Sequence, residues 1–441
     1  MGITVIEKSN PNVRKRNPRT ALVLAGGAVS GGAFKLAGLK ALDDVLVNRK
    51  TTDFDTYVGL SAGAFLAAPL AAGITPTEML ASIQGTGETD QFRLSDFYFP
   101  NLGEFVTKPV EFVADLVSYF PQAVADFLLK SPETVRQLSH PLTACLEEPS
   151  LENLAAVAQP LVEALRTRRP FPFVLEYLPS GLFDNRRIER FIRRNYEAHG
   201  MANDFRKLYR ERGKELYIVA MNLDTAERVV FGHDEDSALS ISEAVQASTA
   251  LPGFYKPARI KGVDYIDGGV RRTANIDVAI EHGADLIICY NPFRPFNNTV
   301  GRRNQQGEIV KPLAEHGMMA VLNQVFRSLL HSRLHLGLHQ YREDPSFTGD
   351  IILIEPTDDD ETFFGMFPLN FWERRRAAEH SYLSVSSSIE THYETIQRIL
   401  ERYGMVMTRR KLREGAERIR RAPLQGDTLV REIPRLGTVA S

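Results

Sequence analysis

Ala21-Leu22-Val23-Leu24-Ala25-Gly26-Gly27-Ala28-Val29-Ser30-Gly31-Gly32 is an apolar run that breaks into glycine. Residues 21–25 carry no polar side chain. They read as a buried strand, and the glycines after them as a tight loop. Apolar periodicity resumes with Phe34, Leu36, Leu39, Leu42 and Leu46, which predicts a helix over 33–46. The same order repeats at once. Residues 54–58 read as a second strand, and Ala64 to Ala72 as a second helix. Strands alternating with helices imply an α/β fold with a mainly parallel central sheet flanked by helices.

The rhythm returns at 215–220, 285–290 and 351–355, and residues 386–403 read as a helix. Between them, residues 100–180 change character. Large apolar residues such as Phe105, Val106, Val110, Phe112, Leu116 and Phe127 recur at helical spacing. This predicts a helical insertion, either packed on the sheet or presented as a lid or membrane-facing surface. The expected division is a basic N-terminal tail (1–20), a main domain (21–290), a C-terminal α/β extension packing on it (291–403) and a basic C-terminal tail (404–441).

Of 441 residues, 43% are hydrophobic and 24% charged, which excludes a disordered, collagen-like or coiled-coil chain. The net charge of −2 is unevenly spread. Residues 1–20 hold five basic residues against one acid, and residues 402–441 ten against four, leaving the middle at −12. Basic ends on an acidic body suit an anionic surface, or are solvated tails. Lipid is the expected partner and nucleic acid is not. Two cysteines, Cys145 and Cys289, are too few for a disulfide framework and point to a reducing compartment. Residues 1–20 lack the apolar stretch of a signal peptide. Residues 56–77 are uncharged, but Gly59, Gly63, Pro69, Gly73 and Pro76 interrupt them, so they read as strand, turn and helix rather than a membrane span. The expectation is a cytoplasmic protein with no transmembrane helix, meeting membranes peripherally through its basic ends or its insertion.

Three motifs bear on chemistry. Gly59-Leu60-Ser61-Ala62-Gly63 fits G-x-S-x-G, in which a sharp strand-to-helix turn exposes a serine hydroxyl. The loop at Gly26, Gly27 and Ala28 offers successive backbone N–H groups at a helix start, suited to a phosphate or to an oxyanion. No P-loop or G-x-G-x-x-G pattern supports the nucleotide reading. Asp267-Gly268-Gly269 follows the apolar stretch from Val263 to Ile266. It reads as a turn, or as a base that burial must raise from the usual carboxylate range.

Taken in order, the glycine loop, the G-x-S-x-G and the late Asp-Gly-Gly resemble the patatin-like phospholipases. The segments Gln246 to Phe254 and Gly181-Leu182-Phe183-Asp184 add to the likeness, which covers roughly residues 20–290. The resemblance implies a three-layer sandwich whose catalytic domain is 21–290, and a Ser–Asp dyad. Ser61 would be the nucleophile and Asp267 the base. The N–H groups of Gly26, Gly27 and Ala28 would form the oxyanion hole, with Gly59, Gly63, Gly268 and Gly269 shaping the two turns. Neither a metal nor a cofactor is implied, and the substrate would be a lipid acyl ester. The chain departs from the family's G-G-G-x-[RK]-G loop, with Ala28 at the third glycine and Ser30 at the basic position. Three readings follow: a lipid acyl hydrolase, a soluble esterase or thioesterase, and a membrane-binding protein with weak catalysis.

Other candidates read differently. An ordinary α/β-hydrolase needs a histidine after Asp267, from among His282, His316, His331, His335, His339, His380 and His392. His331, His335 and His339 share one helix face, polar or metal-binding. Asp358-Asp359-Asp360-Glu361 reads as a solvated loop. Arg186, Arg187, Arg190, Arg193 and Arg194 read as a solvated helix start or a lipid-phosphate contact.

Overall fold

The computed structural model describes residues 2–84, 93–147, 156, 174–302 and 309–421. Nine strands form one sheet: β1 (Ile3–Glu7), β2 (Thr20–Leu24), β3 (Thr56–Leu60), β4 (Glu215–Asn222), β5 (Arg228–Phe231), β6 (Ala258–Ile260), β7 (Val263–Asp267), β8 (Leu286–Tyr290) and β9 (Asp350–Ile354). Their spatial order is β1-β9-β8-β2-β3-β4-β7-β6, with β5 also pairing β4. The central five, β9 to β4, are parallel. The outer strands run antiparallel to their neighbours. The fold is the mixed, mostly parallel α/β sheet that the strand–helix alternation implies.

Each parallel strand is rich in apolar residues and buried almost end to end because both of its faces are covered. In β2, Leu22 and Leu24 enter one hydrophobic core while Ala21 and Val23 enter the other. This period-two division is what makes three layers. The first face carries α1 (Ala28–Val45), α2 (Ala62–Ala72), α3 (Arg186–Ala198), α4 (Ile241–Ser248) and α6 (Arg374–Thr391). The second carries the short helix Ile276–Glu281 and α5 (Met318–Glu343). Helix α5 buries Leu330, Leu334 and Leu338, a stripe at four-residue spacing.

The structure differs from the sequence expectation at both ends. Residues 3–7, expected in a basic tail, form edge strand β1, paired with β9. Ile3 and Ile6 are buried there. The charge of residues 8–19 masks this short apolar run when the window is averaged. Near the C-terminus, Arg410–Arg421 forms a helix rather than a tail. Leu412, Ala416 and Ile419 are its buried residues, an apolar stripe too sparse to stand out among arginines. The remainder of the expected tail, 422–441, lies outside the described residues. Residues 291–403 are not an addition to a finished sheet, since β9 lies between β1 and β8. The helix expected over 386–403 is two, Arg374–Thr391 and Tyr393–Arg402, which meet at His392. The first helix begins at Ala28, not 33, because Gly27 serves as its N-cap.

Pro100–Leu182 form a second compact unit. Its long helix, Leu102–Glu147, exposes Leu102, Val106, Val110, Val113 and Val117. Among the described residues, no helix is long and apolar enough to cross a membrane.

Candidate active site

Parallel strands deliver their C-terminal ends to one edge of a sheet, where ligands of open α/β folds bind. The glycine loop follows β2 and Ser61 follows β3, so both reach that edge on adjacent strands. Ser61 takes φ 54° and ψ −125°, a strained backbone for a residue with a side chain. The turn is sharp because both flanking glycines lie against other backbone. A Cβ on Gly63 would come within 2.0 Å of the Leu24 carbonyl oxygen, and one on Gly59 within 2.6 Å of the Ala64 Cα. The motif therefore needs glycine here for close packing of α2 on β2 and β3.

The Ser61 N–H donates to Ser248 Oγ at 2.8 Å, and Ser248 Oγ donates to the Val219 carbonyl at 2.6 Å. Ser248 closes α4 inside the segment Gln246–Phe254 and thereby ties the elbow to β4. Asn185, after Asp184, donates to the Gln246 carbonyl at 2.7 Å and holds the same segment from the other side. Asp184 itself binds Lys256 at 2.8 Å and Arg186 at 2.9 Å.

Asp267 ends β7. In register, Leu60 pairs with Val219 on β4, and Asp267 pairs with Ala220, the next residue of β4. Ser61 and Asp267 are therefore level across a single intervening strand. Burial raises the Asp267 carboxyl to about 6. The nearby Ser61 hydroxyl, the Gly269 N–H at 2.8 Å and the charge of Lys35 restrain the rise. Gly268 sits against the Val219 carbonyl, where a Cβ would come within 2.9 Å.

Gly26 lies against Ser61, its Cβ position 3.5 Å from the serine's Cβ. Gly27 has φ 139° and ψ 13°, and Ala28 has φ 50°. The alanine that departs from the family pattern thus keeps a left-handed backbone, at a cost of about 1–2 kcal/mol. The Val29 and Ser30 N–H groups are taken by the Pro368 carbonyl. Among the described residues, no acceptor is assigned to the N–H of Gly26, Gly27 or Ala28.

Beneath the loop, Lys35 is fully buried and its Nζ donates to the Gly26 carbonyl at 2.6 Å. Desolvation lowers this ammonium to about 7. Nothing in the sequence pattern marks Lys35, because its helix face is not periodic enough to separate inside from outside. A cavity of about 100 Å³ opens beside Ser61 and Ala28. Phe65, Leu66, Phe97, Ile188, Leu251 and Phe371 supply apolar walls, and among the described residues Arg374 is the one cation lining it. Among the described residues, no histidine lines this cavity. The candidate histidines of the α/β-hydrolase reading are placed elsewhere: His282 by Asp234 and Glu235, His331 and His335 by Glu355, and His380 by Asp360. The ring of His392 meets the Ser388 carbonyl. His316 and His339 are exposed.

Asp360, expected in a solvated loop, caps the helix Glu361–Gly365 by accepting from Phe363 N at 2.9 Å. Arg187, Arg190, Arg193 and Arg194 line a separate basic groove of about 410 Å³ with Arg93 and Asp96.

Residues 22–280 match the family model described as "Patatin-like phospholipase". A curated relative, "Probable lipid hydrolase 463L" of Invertebrate iridescent virus 6, is 24% identical over 105 residues. That match covers 23% of this chain and 36% of the viral protein, so the chain spans about a third of that relative's length. Among solved structures, VipD from Legionella pneumophila is similar at 16% identity and a TM-score of 0.35, over 89% of this chain and 70% of VipD. The type III effector ExoU from Pseudomonas aeruginosa is similar at 16% identity and a TM-score of 0.31, over 91% of this chain and 55% of ExoU.

Proposed function

The chain belongs to the patatin-like phospholipase family, and on that premise we propose that it hydrolyses lipid acyl esters through an acyl-enzyme on Ser61. The observation that carries the proposal is that register sets Ser61 and the buried Asp267 level across β4, with Ser61 beside an apolar cavity. In this reading, Asp267 takes the hydroxyl proton as Ser61 Oγ attacks the ester carbonyl. The free N–H groups of the Gly26-Gly27-Ala28 loop receive the negative charge that develops on the carbonyl oxygen. The protonated Asp267 then supplies the proton that the departing alcohol needs. Water attacks the acyl-enzyme in the second half, with Asp267 again as base. A carboxylate raised to about 6 is a stronger base than an exposed one, which suits a dyad without histidine.

The substrate class follows from the cavity. Its apolar walls suit an acyl chain, and Arg374 supplies a positive charge for a phosphate or carbonyl oxygen. Phe367 and Trp372 are exposed on either side of the wall residues Leu369 and Phe371. Exposed aromatics beside an acyl site suit contact with a lipid surface. Peripheral membrane association is part of the proposal.

The test is fatty-acid release from mixed phospholipid vesicles by wild type and by Ser61→Ala. Release by wild type alone supports the lipid hydrolase. Cleavage confined to a soluble activated ester transfers the assignment to a small-ester esterase. Vesicle binding without cleavage of either substrate rejects the enzymatic reading.

A further inference from the structure

We propose that His331, His335 and Glu355 form a binding site for a zinc-class divalent cation, separate from the ester-cleaving residues. His331 and His335 lie one turn apart on α5, the spacing by which a helix presents two imidazoles to one ion. Glu355 follows β9 directly, and its side chain is 1% exposed. Glu355 Oε2 is 3.6 Å from His331 Nε2 and 3.4 Å from His335 Nε2. One potential ligand atom from each residue lies within 4.8 Å of the other two.

These separations discriminate between two explanations. A charge-assisted N–H···O bond is about 2.7–2.9 Å long. Tetrahedral bonds of about 2.0–2.1 Å instead place neighbouring ligand atoms about 3.3–3.4 Å apart. The two separations fall near the second figure, the 3.4 Å one lying also at the outer limit of a hydrogen bond. The imidazole centroids are 4.0 Å apart. Two imidazolium rings at that distance would repel each other across a single carboxylate oxygen. Two neutral rings could each give an N–H to that oxygen, but at separations long for such a bond, 3.4 Å from His335 and 3.6 Å from His331. A shared cation satisfies both lone pairs and the carboxylate together.

Two further details fit. His331 Nε2 is buried and has no hydrogen-bond partner among the described residues, a cost that coordination removes. Asn291 Nδ2 donates to Glu355 Oε1 at 2.7 Å, which leaves Oε2 to face the histidines. Such an outer contact is how ligating carboxylates are oriented. The His335 side chain is 37% exposed, so a fourth position is open to water.

The site would fasten α5 to the carboxyl end of β9. Arg327 on the same helix donates to the Pro292 carbonyl at 3.1 Å, and the Pro292 ring packs against Gly27 and Gly31. The cation would therefore steady an element that also supports the glycine loop.

The experiment uses the full chain, stripped with chelator and titrated with zinc chloride by calorimetry. A parallel titration with cobalt(II) is read by visible d–d absorption. One equivalent of zinc per chain is expected, with the cobalt spectrum of a low-coordinate site and a melting temperature raised by several degrees. His335→Ala is partly exposed and folds without the ion; it lowers affinity by about 100-fold or more. Glu355→Gln does the same, while His339→Ala, one exposed turn further on, binds as wild type. Absence of a stoichiometric site overturns the proposal and leaves a buried ion-pair cluster. Zinc binding that His335→Ala leaves unchanged overturns it equally, because the ion then sits elsewhere.

Discussion

The ammonium of Lys35, with no exposed surface, donates to the carbonyl of Gly26 at 2.6 Å. That carbonyl belongs to the first residue of the loop whose N–H groups face the proposed oxyanion. Fixing a peptide's oxygen on one side fixes the direction of its N–H on the other. The same charge acts on Asp267 and holds its carboxyl lower than burial alone would. One buried cation thus bears on both the loop and the proposed base.

Substituting Lys35 with Met removes both effects. Without the cation, the Asp267 carboxyl rises further, so the acid limb of kcat/KM moves to higher pH. Loss of the Gly26 contact lowers kcat more than it changes KM. A pH profile of ester cleavage by Lys35→Met checks the shift. An unmoved limb would show that the two charges do not communicate.

In the proposed mechanism, wild-type activity follows the ionisation of Asp267. The group must be unprotonated to accept the serine proton, and its folded value is about 6. Below that value kcat/KM falls roughly tenfold for each pH unit, and above it the profile flattens. An exposed carboxylate would place the limb near 4. Initial rates between pH 4 and 8 separate the two.

Ser61→Ala and Asp267→Asn are each expected to lower cleavage by about 1,000-fold or more, and the double variant to lose little beyond the single ones, since the proposed dyad acts as one unit. Circular dichroism should match wild type, because each substitution alters a single heavy atom of one side chain. Additive losses would argue that the residues serve separate steps.

Ser248 holds the Ser61 N–H and the Val219 carbonyl together. Ser248→Ala leaves both buried groups without that partner and costs about 1–3 kcal/mol of stability. It also frees the elbow, so kcat falls while the acid limb stays near 6. Chemical denaturation paired with steady-state kinetics measures both consequences.

Ala28 sits at φ 50°. Glycine adopts that conformation freely but costs entropy in the unfolded chain. Ala28→Gly is therefore expected to stabilise the fold by about 0.5–1 kcal/mol and to leave kcat within about threefold. Ala28→Val, β-branched at positive φ, destabilises it. Thermal melts of the two variants should move in opposite directions.

Much of this architecture was legible in local pattern. Residues 21–25 and 54–58 read as strands from apolar runs bounded by glycine, and the observed β2 and β3 lie within a residue or two of them. Gly59 and Gly63 marked the turn because close packing leaves no room for a Cβ there. The glycine loop, Ser61 and Asp267 were visible as motifs through their backbone demands. By contrast, β1 and the helix Arg410–Arg421 were hidden, since each carries only a few apolar residues inside a basic stretch. Their burial depends on a partner, β9 for β1, that lies hundreds of residues away.

Spacing along the chain dictates turns, periodicity and the order of strands, because these depend on backbone sterics and on neighbours within a few residues. It says nothing of which side chains meet across the sheet. Ser61 and Asp267 are 206 positions apart, and only strand order and register bring them level on either side of β4. Lys35 becomes a buried cation only when α1 closes over β2. His331 and His335 meet Glu355 only because β9 inserts between β1 and β8. Desolvation, which sets the charge behaviour of Lys35 and Asp267, arises from packing on every side at once. No local stretch of residues encodes it.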